Sequence, residues 1–466
     1  MTDLWRLSAL EIAAAFADGE ASAVEIVDSH LGRIDRVNPS LNAIVRRLDD
    51  EARGRAAELD RARERGEGLG PLAGVPFTIK ENIDVTGSPT TYGLPMLADA
   101  IPTQDSPIVE RLRNAGAIPL ARTNMPDLGL RMHTDSALHG RTLNPWDSTR
   151  TTAGSSGGEA VALATGMSPL GLGNDLGGSL RNPASCCSIA SIKPTLGRVP
   201  RVNEIEPLPL TIMLQLLAVD GPMARRVRDV RAALRVISGA HPRDPWSAPM
   251  PLKNGKDARR VAVMAEPPGG TTDPRIATLT RDAAAALAEQ GVEVEEIDAP
   301  RFTEVLDCWR TLVVGNIAGG LDQLQAAVSA DAFRFLTEAV RSTGPYTPEG
   351  VEAAWPARFA LGAAWAEFFT QWDAILTPTW TRLPFPVGFD IDPEHGPREL
   401  FDLTRPIMPA NVLGLPSAAV PAGLIDGLPV GVLLTGPAWA DLVCLELAEK
   451  IEASGIAPDT PIDPRP

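Results

Sequence analysis

Apolar positions follow a helical period in the first part of the chain and fall into short unbroken runs after it. "SALEIAAAFADGE" opens on Ser8 with Glu11 three residues later, the capping-box arrangement at a helix start. "ASAVEIVDSHLGRIDRVN" keeps the period, and "LDDEARGRAAELDRARERGE" predicts a charged helix with a solvated face, so residues 7–66 read as helical. "LAGVPFTIKENIDV" (72–85) is short, β-branched and apolar, which predicts a buried strand running into a loop. "SPIVERLRNAGAIPLART" (106–123) reads as helix, Gly116, then strand. "RRVAVMAE" followed by "RIATLTRDAAAALAEQGVEVEEID" repeats strand, helix, strand. "WDAILTPTW" (372–380) and "GLPVGVLLTG" (427–436) predict further buried strands. Alternating strands and helices argue for an α/β fold around a central sheet. Pro-rich "HPRDPWSAPMPLKNG" (241–255) is the best internal boundary, yet strand signals of one kind lie on both sides of it. We therefore expect a single unit over 1–466: amino-terminal helices at 7–66, a core at 70–240, a helical region at 275–370 and a return to the core at 371–450.

Charge and cysteine content narrow the function classes. With 59 acidic and 43 basic residues among 466, the net charge is −16, which disfavours nucleic acid and anionic membranes as partners. The amino terminus lacks the basic region of a signal peptide, and no run of about 18 apolar residues occurs, so a cytoplasmic protein without a membrane span is expected. The four cysteines (186, 187, 308 and 444) form no CxxC pair and no zinc-like cluster with histidine, so neither metal nor cofactor is expected. The adjacent Cys186 and Cys187 read as small buried residues rather than a redox pair.

Three segments carry candidate chemistry. "TIKEN" puts Lys80 at the end of a buried strand. "TTAGSSGGEAVALATG" (151–166) brackets Ser155 and Ser156 with glycines. It fits the G-x-S-x-G nucleophile elbow, with Ser156 as nucleophile, but the preceding "WDSTRTT" is a poor strand and none of the five histidines has a suggestive setting. A glycine-rich helix amino terminus that binds phosphate is the other reading, without the lysine of a P-loop. "LGLGNDLGGSLRNPA" (170–184) brings almost no side-chain bulk. Its glycines let a substrate approach the backbone, so the amides of Leu176, Gly177, Gly178 and Ser179 can face one oxygen as an oxyanion hole beside a Ser179 nucleophile. With histidine improbable, the base must be a neutral lysine. A free lysine titrates near pH 10.4, so its pKa must fall by about three, roughly 4 kcal/mol, which burial supplies. Lys80 is the plausible host.

The combination of "KEN" at 80–82, "GSSGG" at 154–158 and "DLGGSLRNPA" at 175–184 resembles the amidase signature family. "NPWD", "IKPTLGRV", "DGPMAR", "ILTPT" and "PANVLGLPSAAVPAG" extend the likeness to nearly the whole chain. The resemblance implies the amidase signature fold, a large mixed twisted β-sheet covered by helices on both sides. It implies Ser179 as nucleophile, Ser155 as a bridging serine after a cis peptide, and Lys80 as the base. It gives Gly129 as the residue whose carbonyl receives the leaving N–H, and Ser156, Asp175 and Arg181 as supporting positions. Three departures stand out: Ala153 where the family usually has glycine ("PGGSSGG"), Asn174 where it usually has threonine ("GTD"), and "CSIASIKPT" for the commoner "CGVVGLKPT". Asn174 and Asn182 are expected near the substrate, Asn182 giving no charge for a carboxylate.

The expected activity is hydrolysis of neutral, hydrophobic or aryl amides, with carbamates (urethanes) and aryl esters as further substrates, by a monomer or homodimer. A glutamine-hydrolysing amidase component of a glutamyl-tRNA amidotransferase and a non-catalytic scaffold are the alternatives. Apolar "PLPLTIMLQLLAV" (207–219) reads equally as a lid or as core. Trp355, Phe359, Trp365, Phe368 and Phe369 favour core packing over a ligand cage.

Overall fold

The computed structural model describes residues 3–252 and 258–465. Eleven strands form one sheet: β1 (Ile44–Arg47), β2 (Pro76–Lys80), β3 (Ile118–Thr123), β4 (Leu170–Asp175), β5 (Ala190–Lys193), β6 (Val219–Ala224), β7 (Arg260–Val263), β8 (Glu293–Glu296), β9 (Ala374–Pro378), β10 (Ser417–Ile425) and β11 (Leu428–Thr435). Their order is β1-β3-β2-β4-β6-β5-β10-β11-β9-β7-β8. Strand β2 runs parallel to both neighbours, β3 and β4, and β9, β7 and β8 are parallel to one another, while the pairings through the middle of the sheet are antiparallel. The sheet is therefore mixed, and its helices bury it, as the pattern predicts.

Most expected elements are present. The capping box at Ser8 holds the start of helix Ala9–Ala17, and a second one at Ser22 and Glu25 starts helix Ala23–Val37. The expected helix and strand on either side of Gly116 are Pro107–Asn114 and β3. Three differences have physical reasons. The helical stretch 7–66 is interrupted by β1, an edge strand with only Ile44 buried, too short to show a period. The region expected to be helical from 275 begins with helix Pro274–Glu289 and then β8 at the sheet edge, so the purely helical part starts at Phe302. The glycine-rich stretch 170–175, read as a loop, is β4. Its glycines admit the helix Gly157–Ala164 to the sheet: a Cβ on Gly171 would overlap the Glu159 carboxyl. The boundary expected at 241–255 falls partly outside the described residues, since 253–257 are not described.

Candidate active site

Lys80 ends β2, and Asn174 and Asp175 end the adjacent parallel β4. The site thus lies at the carboxyl ends of parallel strands, where open α/β sheets place their ligands. All five residues of β2 are buried, and Lys80 is fully so. Its Nζ lies 2.6 Å from Ser155 Oγ and 2.7 Å from Asn174 Oδ1. Burial pushes the Lys80 amine down to about 7, against the opposing fields of Asp175, Asp220 and Glu159 and with some help from Arg201. Those carboxyls do not hold the amine charged. Glu159 and Asp220 are themselves raised by burial, to about 8 and about 7. A neutral amine at this position can accept the Ser155 hydroxyl proton while donating to Asn174.

The loop after β4 is built around Asp175. Burial acts to raise this carboxyl, but Arg181 and the hydrogen bonds from Arg181 and Asn411 overcome it and hold the group at about 2. Arg181 forks onto both carboxylate oxygens at 3.0 Å, Asn411 Nδ2 donates at 2.8 Å, and the Gly178 and Leu180 amides donate at 2.8 and 3.2 Å. These bonds set the path of the loop through Gly178, whose φ of +96° a side chain would strain. They also correct one expectation. The Gly178 amide is engaged by Asp175, so an oxyanion hole here rests on the amides of Leu176, Gly177 and Ser179, for which no protein acceptor exists among the described residues. Trp309 Nε1 donates to the Leu176 carbonyl at 3.4 Å and braces the same turn.

Ser155 follows a cis Gly154–Ser155 peptide. Gly129 packs directly beside Ser155 Oγ. Ser155, Ser179, Asn174, Asp175, Leu176 and Gly129 all line one cavity of about 820 Å³, and the Ser179 hydroxyl makes no hydrogen bond among the described residues. Two expected residues lie elsewhere. Ser156 is fully buried, its Oγ packed towards Gly173 without a partner, so it cannot serve as an elbow nucleophile. Asn182 is fully buried, donates to the Gly177 carbonyl at 3.1 Å and accepts from Trp380 Nε1 at 2.8 Å; it supports the loop and does not line the cavity. Asn174, expected as a substrate contact, is also the second partner of Lys80.

The cavity walls are mostly apolar. Segment 207–218 contributes Leu208, Met213 and Leu214, the helix Phe302–Gly319 contributes Ile317, and helix Pro348–Phe368 contributes Val351 and Trp355. The aromatic group 355–369 thus divides. Trp355 faces the cavity, Phe359 is 82% exposed, and Trp365 is core, tilted against Phe368 and Phe369. Tyr92, Arg201 and Glu206 form a polar corner of the cavity that sequence reasoning missed, because isolated polar residues in loops carry no period. Cys186 and Cys187 are buried and unbridged, and burial pushes both thiols up.

The amidase family model matches residues 25–445. The chain belongs to the amidase signature family. It is a serine amidohydrolase. An indoleacetamide hydrolase of Bradyrhizobium diazoefficiens is 38% identical over 453 residues, covering 96% of this chain and 86% of that protein. The amidase component of a glutamyl-tRNA(Gln) amidotransferase of Salinispora tropica is 33% identical, covering 99% of each chain. Among solved structures, a bacterial aryl acylamidase of the amidase signature enzymes superposes with a TM-score of 0.82 at 29% identity, covering 96% of each chain. No helix of the described residues is long and apolar enough to cross a membrane.

Proposed function

We propose that this amidase hydrolyses the C–N bond of neutral, hydrophobic or aryl amides through an acyl-enzyme on Ser179, with Ser155 and Lys80 as the proton relay. The observation that carries the reading is the buried Lys80 amine, brought down to about 7 and held 2.6 Å from Ser155 Oγ, opening onto a largely apolar cavity that Ser179 also lines. In the reaction, neutral Lys80 takes the Ser155 proton and Ser155 takes that of Ser179. Ser179 Oγ bonds to the amide carbon, and the developing oxyanion meets the amides of Leu176, Gly177 and Ser179. The proton returns along the relay to the leaving nitrogen as the C–N bond breaks, beside Gly129. Water enters by the same path and releases the acid. Arylalkyl primary amides of the indoleacetamide kind and anilides suit the walls, given what the relatives are named for. Carbamates and aryl esters pass through the same tetrahedral oxyanion and belong to the proposal.

The test is a label transfer. A fluorophosphonate probe should modify Ser179, and the purified chain alone should hydrolyse indole-3-acetamide or an anilide. An adduct on another serine, or no turnover by the chain alone, overturns the proposal. Glutamine hydrolysis appearing only with added partner proteins would favour the amidotransferase reading, which the 33% identical relative motivates and the apolar walls oppose.

A further inference from the structure

The guanidinium of Arg201 faces the substrate cavity and makes no hydrogen bond among the described residues. Its Nε is buried without a partner, and its two carboxylate neighbours stand beyond hydrogen-bond length, Asp220 at 3.6 Å and Glu206 at 3.9 Å. Only the backbone amide of Arg201 is bonded, to Asp244 Oδ2 at 2.9 Å, which fixes where the side chain begins. Beside it, Tyr92 donates its hydroxyl to Glu206 Oε2 at 3.2 Å, so Glu206 is held by a second group and is not drawn onto the arginine. A guanidinium carries five donors, and leaving them unmet in a half-enclosed site is costly. The site is close to the chemistry: the charge of Arg201 is among the fields acting on Lys80.

We propose that Arg201 forms a polar subsite that takes a neutral hydrogen-bond acceptor on the substrate, a second carbonyl near the scissile amide, while the apolar walls take the hydrophobic remainder. Neutrality follows from the company. Asp220 and Glu206 already balance the arginine, and both are raised by burial, so a substrate carboxylate would add an uncompensated negative charge to this corner. A carbonyl oxygen accepts the unmet N–H groups without adding charge. The substrate class becomes amides of the N-acyl-amino-acid-amide type with an aryl or alkyl side chain. This inference rests on the amidase reading above.

The experiment compares three primary amides sharing one benzyl group: N-acetylphenylalaninamide (each enantiomer), 3-phenylpropanamide and 2-benzylmalonamate. They supply a neutral acceptor, none, and a carboxylate. The wild-type chain should favour one enantiomer of the first over the second by about tenfold or more in kcat/KM, the size of one good hydrogen bond to a charged group. In Arg201→Met that ratio should fall towards one. Both substrates use the same base, so any effect of the substitution on Lys80 cancels in the ratio. Arg201→Lys, which keeps a charge for Asp220 and Glu206, serves if the methionine variant does not fold, and should also lower the ratio. An arginine present only to balance Asp220 would leave the ratio unchanged, and that result overturns the proposal, as does a wild-type preference for the malonamate. Ser179-dependent turnover without preference would defeat this inference alone; no turnover of any of the three would defeat the amidase reading itself.

Discussion

At the residue scale the site turns on one proton. Ser179→Ala removes the attacking oxygen and should lower kcat by at least about 10³-fold with the melting temperature unchanged, since the hydroxyl makes no bond among the described residues. Residual activity near wild type would remove Ser179 from its role. Lys80 must be neutral to act, so activity should be lost as pH falls through the folded value of about 7. Asn174 shapes that limb. As a neutral acceptor 2.7 Å from Nζ it orients the amine, leaving the lone pair for Ser155, without the field of a carboxylate. Asn174→Asp would set an anion at that distance and favour the ammonium form, so the acid limb of kcat/KM should move to higher pH. Asn174→Thr, restoring the hydroxyl common in the family, keeps an acceptor and should hold the limb near wild type. A limb that stays put in the aspartate variant would mean that Lys80 is not the titrating base.

At the element scale, the strands and caps were legible because they repeat a period, whereas the loops that shape the site were legible only as motifs. The run 76–80 announces β2 by its unbroken apolar pattern, but nothing in "LGLGND" announces β4, because glycine is depleted in strands and is there to admit the Glu159 helix. The roles of Lys80, Ser155, Ser179, Asp175 and Arg181 came from motif spacing. Asn182 misled because its number places it close to the nucleophile while helix Arg181–Cys187 turns it towards Trp380. Ala153 shows how a motif departure is tolerated. It sits at φ +60° on the approach to Ser155, where a left-handed backbone costs an alanine about 1–2 kcal/mol. Against this, its methyl is fully buried, a contribution of about 0.8 kcal/mol. Glycine there would in addition lose about 0.4–1 kcal/mol through the unfolded chain. The terms nearly cancel, so Ala153→Gly should shift stability by less than about 1 kcal/mol in either direction, read as a small change in thermal midpoint, with kcat retained. A drop of several kcal/mol would show that the methyl packs the site rather than merely occupying a glycine position.

At the scale of the whole molecule, the catalytic groups and the cavity wall come from different parts of the chain. The sheet and its loops, residues 80–179, supply the relay and the nucleophile, while segment 207–218 and the helices Phe302–Gly319 and Pro348–Phe368 close the far side. Chemistry and selectivity should therefore separate under mutation. Trp355 is the sharpest test. It precedes Pro356, which lies inside its helix and cannot donate a backbone hydrogen bond, and its ring reaches the cavity, unlike exposed Phe359 and core Trp365. Burying an aromatic or aliphatic side chain is worth about 1.5–3 kcal/mol, and each 1.4 kcal/mol is about tenfold in affinity. Trp355→Ala should therefore raise KM for an arylalkyl amide about tenfold or more while kcat stays within a few fold, because the lost contact is made equally in ground and transition states. Propionamide, too short to reach the ring, should show no such rise. Equal losses for the large and the small amide, or a fall confined to kcat, would mean that the helix holds the catalytic loop in place rather than the substrate, and the division of labour between sheet and helical wall would fail.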